Sequence, residues 1–84
     1  MPSNSIPSEI MLRRLRVDEA LHRLEQYLDA AFMAGYPSIR IIHGKGTGAL
    51  RCSVREYLQG HPLAGAVNPV DDPGDDGVTV VALK

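Results

Sequence analysis

The sequence predicts an α/β fold: a two-layer α+β sandwich of order β-α-β-α-β-β, with a mixed four-stranded sheet and two helices on one face. Three observations predict it. Apolar residues recur at helical spacing twice. Short apolar or β-branched runs precede, separate and follow those stretches. Glycine or proline closes each helical stretch, so the chain must turn back.

The elements follow in order. Ile10, Met11 and Leu12 form a short apolar run within Glu9–Arg13, a first strand. Val17, Ala20, Leu21, Leu24, Leu28, Ala31 and Phe32 then share one helical face, predicting a helix over Val17–Ala34. Asp18 and Glu19 suit its first turn, where the helix dipole favours acids, and Gly35 and Pro37 end it. Ser38–His43 is β-branched and apolar apart from Arg40, a second strand. A second helix is expected over Gly48–Gln59, with Leu50, Val54, Tyr57 and Leu58 inward and Gly60 and Pro62 as stops. Leu63–Val70 is a weaker strand, interrupted by Gly65 and Pro69. A turn-rich acidic loop, 71–77, leads to the closing strand Val78–Leu83. The helix between the first two strands favours parallel pairing with a right-handed crossover, and the last two strands form a hairpin.

Composition sets bounds. At 84 residues the chain is one domain, 44% hydrophobic and 23% charged. Such a chain buries only about 60% of its unfolded surface. Residues 1–8 read as a disordered tail or linker, leaving 9–84 as the domain. No apolar run approaches membrane-spanning length, and the N-terminus lacks the apolar core of a signal peptide, so a cytoplasmic setting is expected. The lone Cys52 excludes an internal disulfide and reads as a semi-buried structural thiol.

Net charge is −1, yet its distribution is uneven. Arg13, Arg14, Arg16, Arg23, Arg40, Lys45, Arg51 and Arg55 fall between Arg13 and Arg55, against Asp18, Glu19, Glu25 and Asp29 in that span. From Glu56 to Leu83 there are acids but no Lys or Arg. The fold can thus present a basic face and hold the acidic loop away from it, although scattered solvated charge is an equal reading of composition alone.

The chemistry concentrates at the end of the second strand, Ile41-Ile42-His43-Gly44-Lys45-Gly46-Thr47-Gly48. Glycines let a backbone turn tightly and expose its N–H groups, and a following helix N-terminus adds donors and partial positive charge. His43 can bond a phosphate oxygen or transfer a proton, and Lys45 can clamp an anion. Gly44, Gly46 and Gly48 supply backbone, Thr47 caps the helix or binds phosphate, and Arg51 reaches from one turn inside. Arg13 and Arg14 follow the first strand, whose end lies beside that of the second in a parallel pair. A nucleotide P-loop fails, because Ile39 stands where its first glycine belongs and Gly46 where Ser or Thr belongs. The spacing for a dinucleotide fingerprint also fails. No metal site is expected: three histidines and one cysteine lack ligand spacing, and the acidic loop fails as a calcium loop. With only Tyr27, Phe32, Tyr36 and Tyr57 as aromatics, backbone recognition is favoured over base stacking.

Arg16-Val17-Asp18-Glu19-Ala20-Leu21, then Ile41-Ile42-His43-Gly44-Lys45-Gly46-Thr47-Gly48-Ala49-Leu50-Arg51, then Gly77-Val78-Thr79-Val80-Val81 resemble the Smr (small MutS-related) domain. The resemblance runs from Ile10 to the C-terminus and is closest to the version carried at the C-terminus of the bacterial MutS paralogue (MutS-II type). It implies a sandwich similar to the C-terminal domain of a bacterial translation initiation factor, binding of branched or duplex DNA or of ribosomal RNA, and in many members endonuclease activity. It also implies a larger MutS-like ATPase chain acting in recombination suppression, DNA repair or stalled-ribosome rescue. The family's HGxG loop falls on His43–Gly46, with His43 and Lys45 as catalytic candidates. Its Leu-Asp-x-His or Leu-Asp-x-Arg motif falls on Ile10, Met11, Leu12 and Arg13, with Arg14 in the place of the usual glycine. Met11 stands where the family has an acid and can neither take a proton nor hold a metal. A non-catalytic binding module is therefore the alternative to an endonuclease. No cofactor is expected within the domain, and the residues leave the use of a divalent ion open.

Overall fold

The computed structural model describes residues 6–46, 48–69, 74–75 and 77–84. The order is β1 (Glu9–Met11), α1 (Val17–Met33), β2 (Ser38–Ile42), α2 (Ala49–Gln59), β3 (Ala64–Val67) and β4 (Val78–Leu83). The sheet runs β1-β2-β4-β3, with β1 parallel to β2 and the other neighbours antiparallel. This is the expected mixed sheet. β3 is shorter than expected, and its pairing with β4 is irregular between Ala64 and Val67.

Register decides which face is buried. Ile10 pairs with Ile41, Ile41 with Thr79, and Ile39 with Val81, so these side chains share one face. Both helices lie against it. Ala20, Leu24, Leu28 and Ala31 of α1 and Val54 and Leu58 of α2 meet Ile39, Ile41 and Val81 in one core, which Leu12 completes from beyond β1. The outer members of the α1 stripe, Val17 and Phe32, remain partly exposed. Cys52 is exposed rather than semi-buried: α2 turns about 100° per residue, which points Cys52 away from the Val54–Leu58 stripe.

Two polar clusters tie the layers. Glu25 on α1 accepts from the Tyr57 hydroxyl and from His61 Nε2, the latter at 2.8 Å, while the Leu63 amide donates to His61 Nδ1 at 3.1 Å. His61 thus joins both helices to the entry of β3. The hydroxyls of Tyr27 and Tyr36 donate to the carbonyls of Pro7 and Ile6, and the Arg40 amide donates to the Ser8 carbonyl at 3.0 Å. Residues 6–8, expected as part of a tail, are therefore bound to the domain, and residues 1–5 lie outside the described residues.

Parallel pairing of β1 and β2 brings both strand-to-helix turns, and the N-termini of α1 and α2, to one rim of the sheet. A ligand in such a fold meets backbone and side chains from two turns at once.

Candidate nucleic-acid interface

The loop after β2 is built from within. The amides of His43 and Gly44 both donate to the Gly77 carbonyl, at 3.1 and 3.0 Å, and the Gly48 amide donates to the Lys45 carbonyl at 3.2 Å. Gly44, Gly46 and Gly48 take φ values of +78°, +40° and +88°. An L-residue in this left-handed region is strained, which is why glycine recurs here. The amides of Gly44 and Gly48, expected to face a phosphate, are already occupied. Their glycines shape the loop, and among its described residues Lys45 and Gly46 face solvent. Gly48 is the N-cap of α2, with no side-chain cap, and Thr47, expected as cap or phosphate ligand, lies outside the described residues.

His43 follows the strand's alternation. Ile39 and Ile41 point to the core, and so does His43, which is only 4% exposed. Its Nε2 lies 2.8 Å from Thr79 Oγ1, and its Nδ1 lies 2.9 Å from the Gly44 carbonyl oxygen. Arg55 Nε donates to the same Thr79 oxygen at 2.9 Å. Burial holds the imidazole pKa below its ordinary value; the Gly44 carbonyl pulls the other way, the nearby Arg55 and Arg51 charges reinforce burial, and Asp75 opposes it.

The basic residues come from both turns. Arg13, Arg14, Arg16 and Lys45 are exposed. Arg13 lies over Gly44, where an added Cβ would meet its Cγ at 3.1 Å. Arg51 packs back against Gly48, where an added Cβ would meet its Nη2 at 3.0 Å. A cleft of about 330 Å³ runs between the two helix N-termini and is lined by Arg14, Arg16, Val17, His43, Lys45 and Gly48 among others, but not by Arg51. On the other side of the loop, Arg13, Lys45, Ile42, Gly77 and Val78 border a second hollow of about 400 Å³. Met11, at the family's acid position, is 54% exposed and borders a third hollow with Arg13 and Arg14.

Several contributors lie beyond the sequence reading. Thr79 and Arg55 reach His43 only through the β2–β4 register and the packing of α2. Gly77 supplies the carbonyl beneath the loop, and Arg16 joins the cleft while pairing loosely with Asp18 at 3.6 Å. Asp75, the described acid of the loop at 71–77, is not held away from the basic rim. Asp75 accepts from the Gly77 amide at 2.8 Å and acts electrostatically on His43, because the carbonyl that seats the glycine loop belongs to the same turn. Among the described residues no group of three or more His, Cys, Asp or Glu could hold a metal ion, and no helix is long and apolar enough to cross a membrane.

Arg14 carries its own test. Its φ is +67°, in the family's glycine place, a conformation that costs a non-glycine residue about 1 kcal/mol. Arg14→Gly removes that strain but loosens the unfolded chain, so stability is expected to change by no more than about 1 kcal/mol, upward on balance. Affinity for nucleic acid should nonetheless fall several-fold with the lost cation. A chemical melt and a DNA titration of one preparation check both; a variant that loses stability and binds unchanged contradicts the assignment.

The Smr domain family model matches residues 10–84. The chain belongs to the Smr family. It is 46% identical over 80 residues to Endonuclease MutS2 of Listeria welshimeri and 51% identical over 81 residues to Endonuclease MutS2 of Geobacillus thermodenitrificans. Those matches cover 94% and 90% of this chain but 10% of each relative, so the Smr chain spans about a tenth of their length. The crystal structure of the Smr domain of Thermus thermophilus MutS2 superposes with a TM-score of 0.81 at 44% identity, covering 90% of this chain and 96% of that one. The chain is thus a Smr domain similar to those of MutS2 proteins.

Proposed function

We propose that this Smr domain grips the phosphodiester backbone of DNA or RNA along the rim formed by Arg13, Arg14 and Lys45, and that it is the endonuclease part of a larger MutS2-like chain. The observation that carries this reading is convergence: two separate strand-to-helix turns deliver cations around one glycine loop, with hollows on both sides of it. The name endonuclease on relatives 46–51% identical supports the cleavage half. In this reading Gly44, Gly46 and Gly48 shape the loop, Thr47 and Arg51 add contacts to phosphate, and Lys45 and Arg13 stabilise the extra negative charge on phosphorus in the transition state. His43 takes part in proton transfer or in hydrogen bonding to phosphate. Branched or duplex DNA and ribosomal RNA are the substrates this chemistry fits, in a cytoplasmic protein of DNA repair, recombination suppression or ribosome rescue.

A second reading, binding without cleavage, is favoured by two specific observations. Met11 replaces the motif acid, and both His43 nitrogens are engaged within the protein. Incubating supercoiled plasmid and a structured RNA with wild type and with Lys45→Ala separates the two. Nicked plasmid or cut RNA from wild type, reduced at least about tenfold in the variant, is expected for the endonuclease. Salt-sensitive binding with no product from wild type removes the cleavage half and leaves the binding module.

A further inference from the structure

The hydrogen-bond chain around His43 has one consistent direction. The Gly44 carbonyl can only accept, so His43 Nδ1 carries a hydrogen. The Arg55 Nε–H can only donate, so Thr79 Oγ1 accepts from it. The Thr79 hydroxyl hydrogen then goes to a bare His43 Nε2, and every polar atom in the chain is satisfied. A doubly protonated ring would direct two cationic donors at a single hydroxyl oxygen and leave the hydroxyl hydrogen without a partner. Thr79 is fully buried, so no solvent competes for these bonds.

We propose that Thr79 and Arg55 are positioning residues for His43. They hold the imidazole neutral, in the Nδ1–H tautomer, with that hydrogen on the loop-facing edge, from where it passes from the Gly44 carbonyl to a phosphate oxygen seated in the Arg14–Lys45 cleft. The phosphate-donor half rests on the backbone-binding reading above; the tautomer half does not. It also gives the family's loop histidine a defined role without requiring it to exchange protons with solvent: a pre-oriented neutral donor backed by a threonine and an arginine from two other elements.

The test uses the whole chain labelled with ¹⁵N-histidine. Imidazole ¹⁵N spectra of the wild type should show His43 protonated at Nδ1 and bare at Nε2 near neutral pH. Thr79→Val keeps the volume and removes the hydroxyl. It should abolish the single tautomer and weaken binding of a short fluorescent DNA duplex about fivefold, the factor carried by one hydrogen bond of ordinary net strength. Thr79→Ser should restore both. In a His43→Ala background Thr79→Val should cost no further affinity, since a merely structural threonine would act independently of the ring. Arg55→Met, at a partly exposed position, carries the same measurements if the threonine variant does not fold. A wild-type ring protonated at Nε2, or variants that leave the His43 spectrum unchanged, would overturn the relay. A relay seen in the spectra beside wild-type protein that binds no duplex would instead overturn the backbone-binding reading and, with it, the phosphate-donor half.

Discussion

Replacing His43 with alanine is expected to destabilise the domain by about 3 kcal/mol, combining a cavity in a packed layer with a buried Thr79 hydroxyl left without its acceptor. In a domain of this size that corresponds to a fall in melting temperature of roughly 12–24 °C. It consumes a large share of a total stability of about 4–12 kcal/mol for a chain of this length. The loop should loosen as well, because the ring anchors the Gly44 carbonyl from the core side. The pH dependence has a definite sign. His43 is held below its ordinary pKa of 6.5 in the folded state, so on acidification the unfolded chain takes up that proton first. Its contribution is therefore complete above 6.5 and is lost as pH falls through the depressed folded value. Thermal melts of wild type and His43→Ala across that range should converge on the acid side. A variant melting within a degree or two of wild type, or a constant gap at every pH, would show that the buried network does not hold the loop.

Much of this arrangement was legible in the residues. The Leu24–Leu28 stripe and the Val54–Leu58 pair declare their helices because a period near 3.6 has no other use in a small domain. Val78–Leu83 declares a strand with the bounds observed. The pairing of Arg13 with the glycine loop follows from one rule, that a helix between two strands makes them parallel. What was hidden depends on contacts distant in sequence. Nothing local says that the Gly77 carbonyl will occupy the Gly44 amide, so a glycine loop that looks ready to cradle an anion with its backbone has already used two of its amides. The burial of His43 did have a signal. Ile39 and Ile41 alternate inward, and the next inward position is 43. Thr79 gave a weaker one, as the single polar residue in the first four of a strand otherwise built of valine there. Arg55 gave none, since an arginine on an amphipathic helix ordinarily belongs to its solvated side.

Removing Arg13, Arg14 and Lys45 together should produce the largest functional loss. All three are exposed and lie outside the apolar core, so the triple alanine variant should fold as wild type does. If each neutralises one phosphate, the slope of log affinity against log salt should shrink by roughly 2.7 for duplex DNA, at about 0.9 per contact. At near-physiological salt, affinity should fall by a factor on the order of a hundred, and by similar factors for unrelated sequences, because backbone contacts carry no base information. Arg23→Ala is the control: that side chain pairs with Glu19 on α1 and lines none of the hollows around the loop, so its loss should leave the slope unchanged. The comparison separates a located grip from diffuse attraction. A domain of net charge −1 has no overall field to draw in a polyanion, so its salt dependence must come from where its cations stand. If the triple variant kept the wild-type slope, the convergence of the two turns would be a packing consequence of the fold, and the nucleic acid would have to be held elsewhere on the domain.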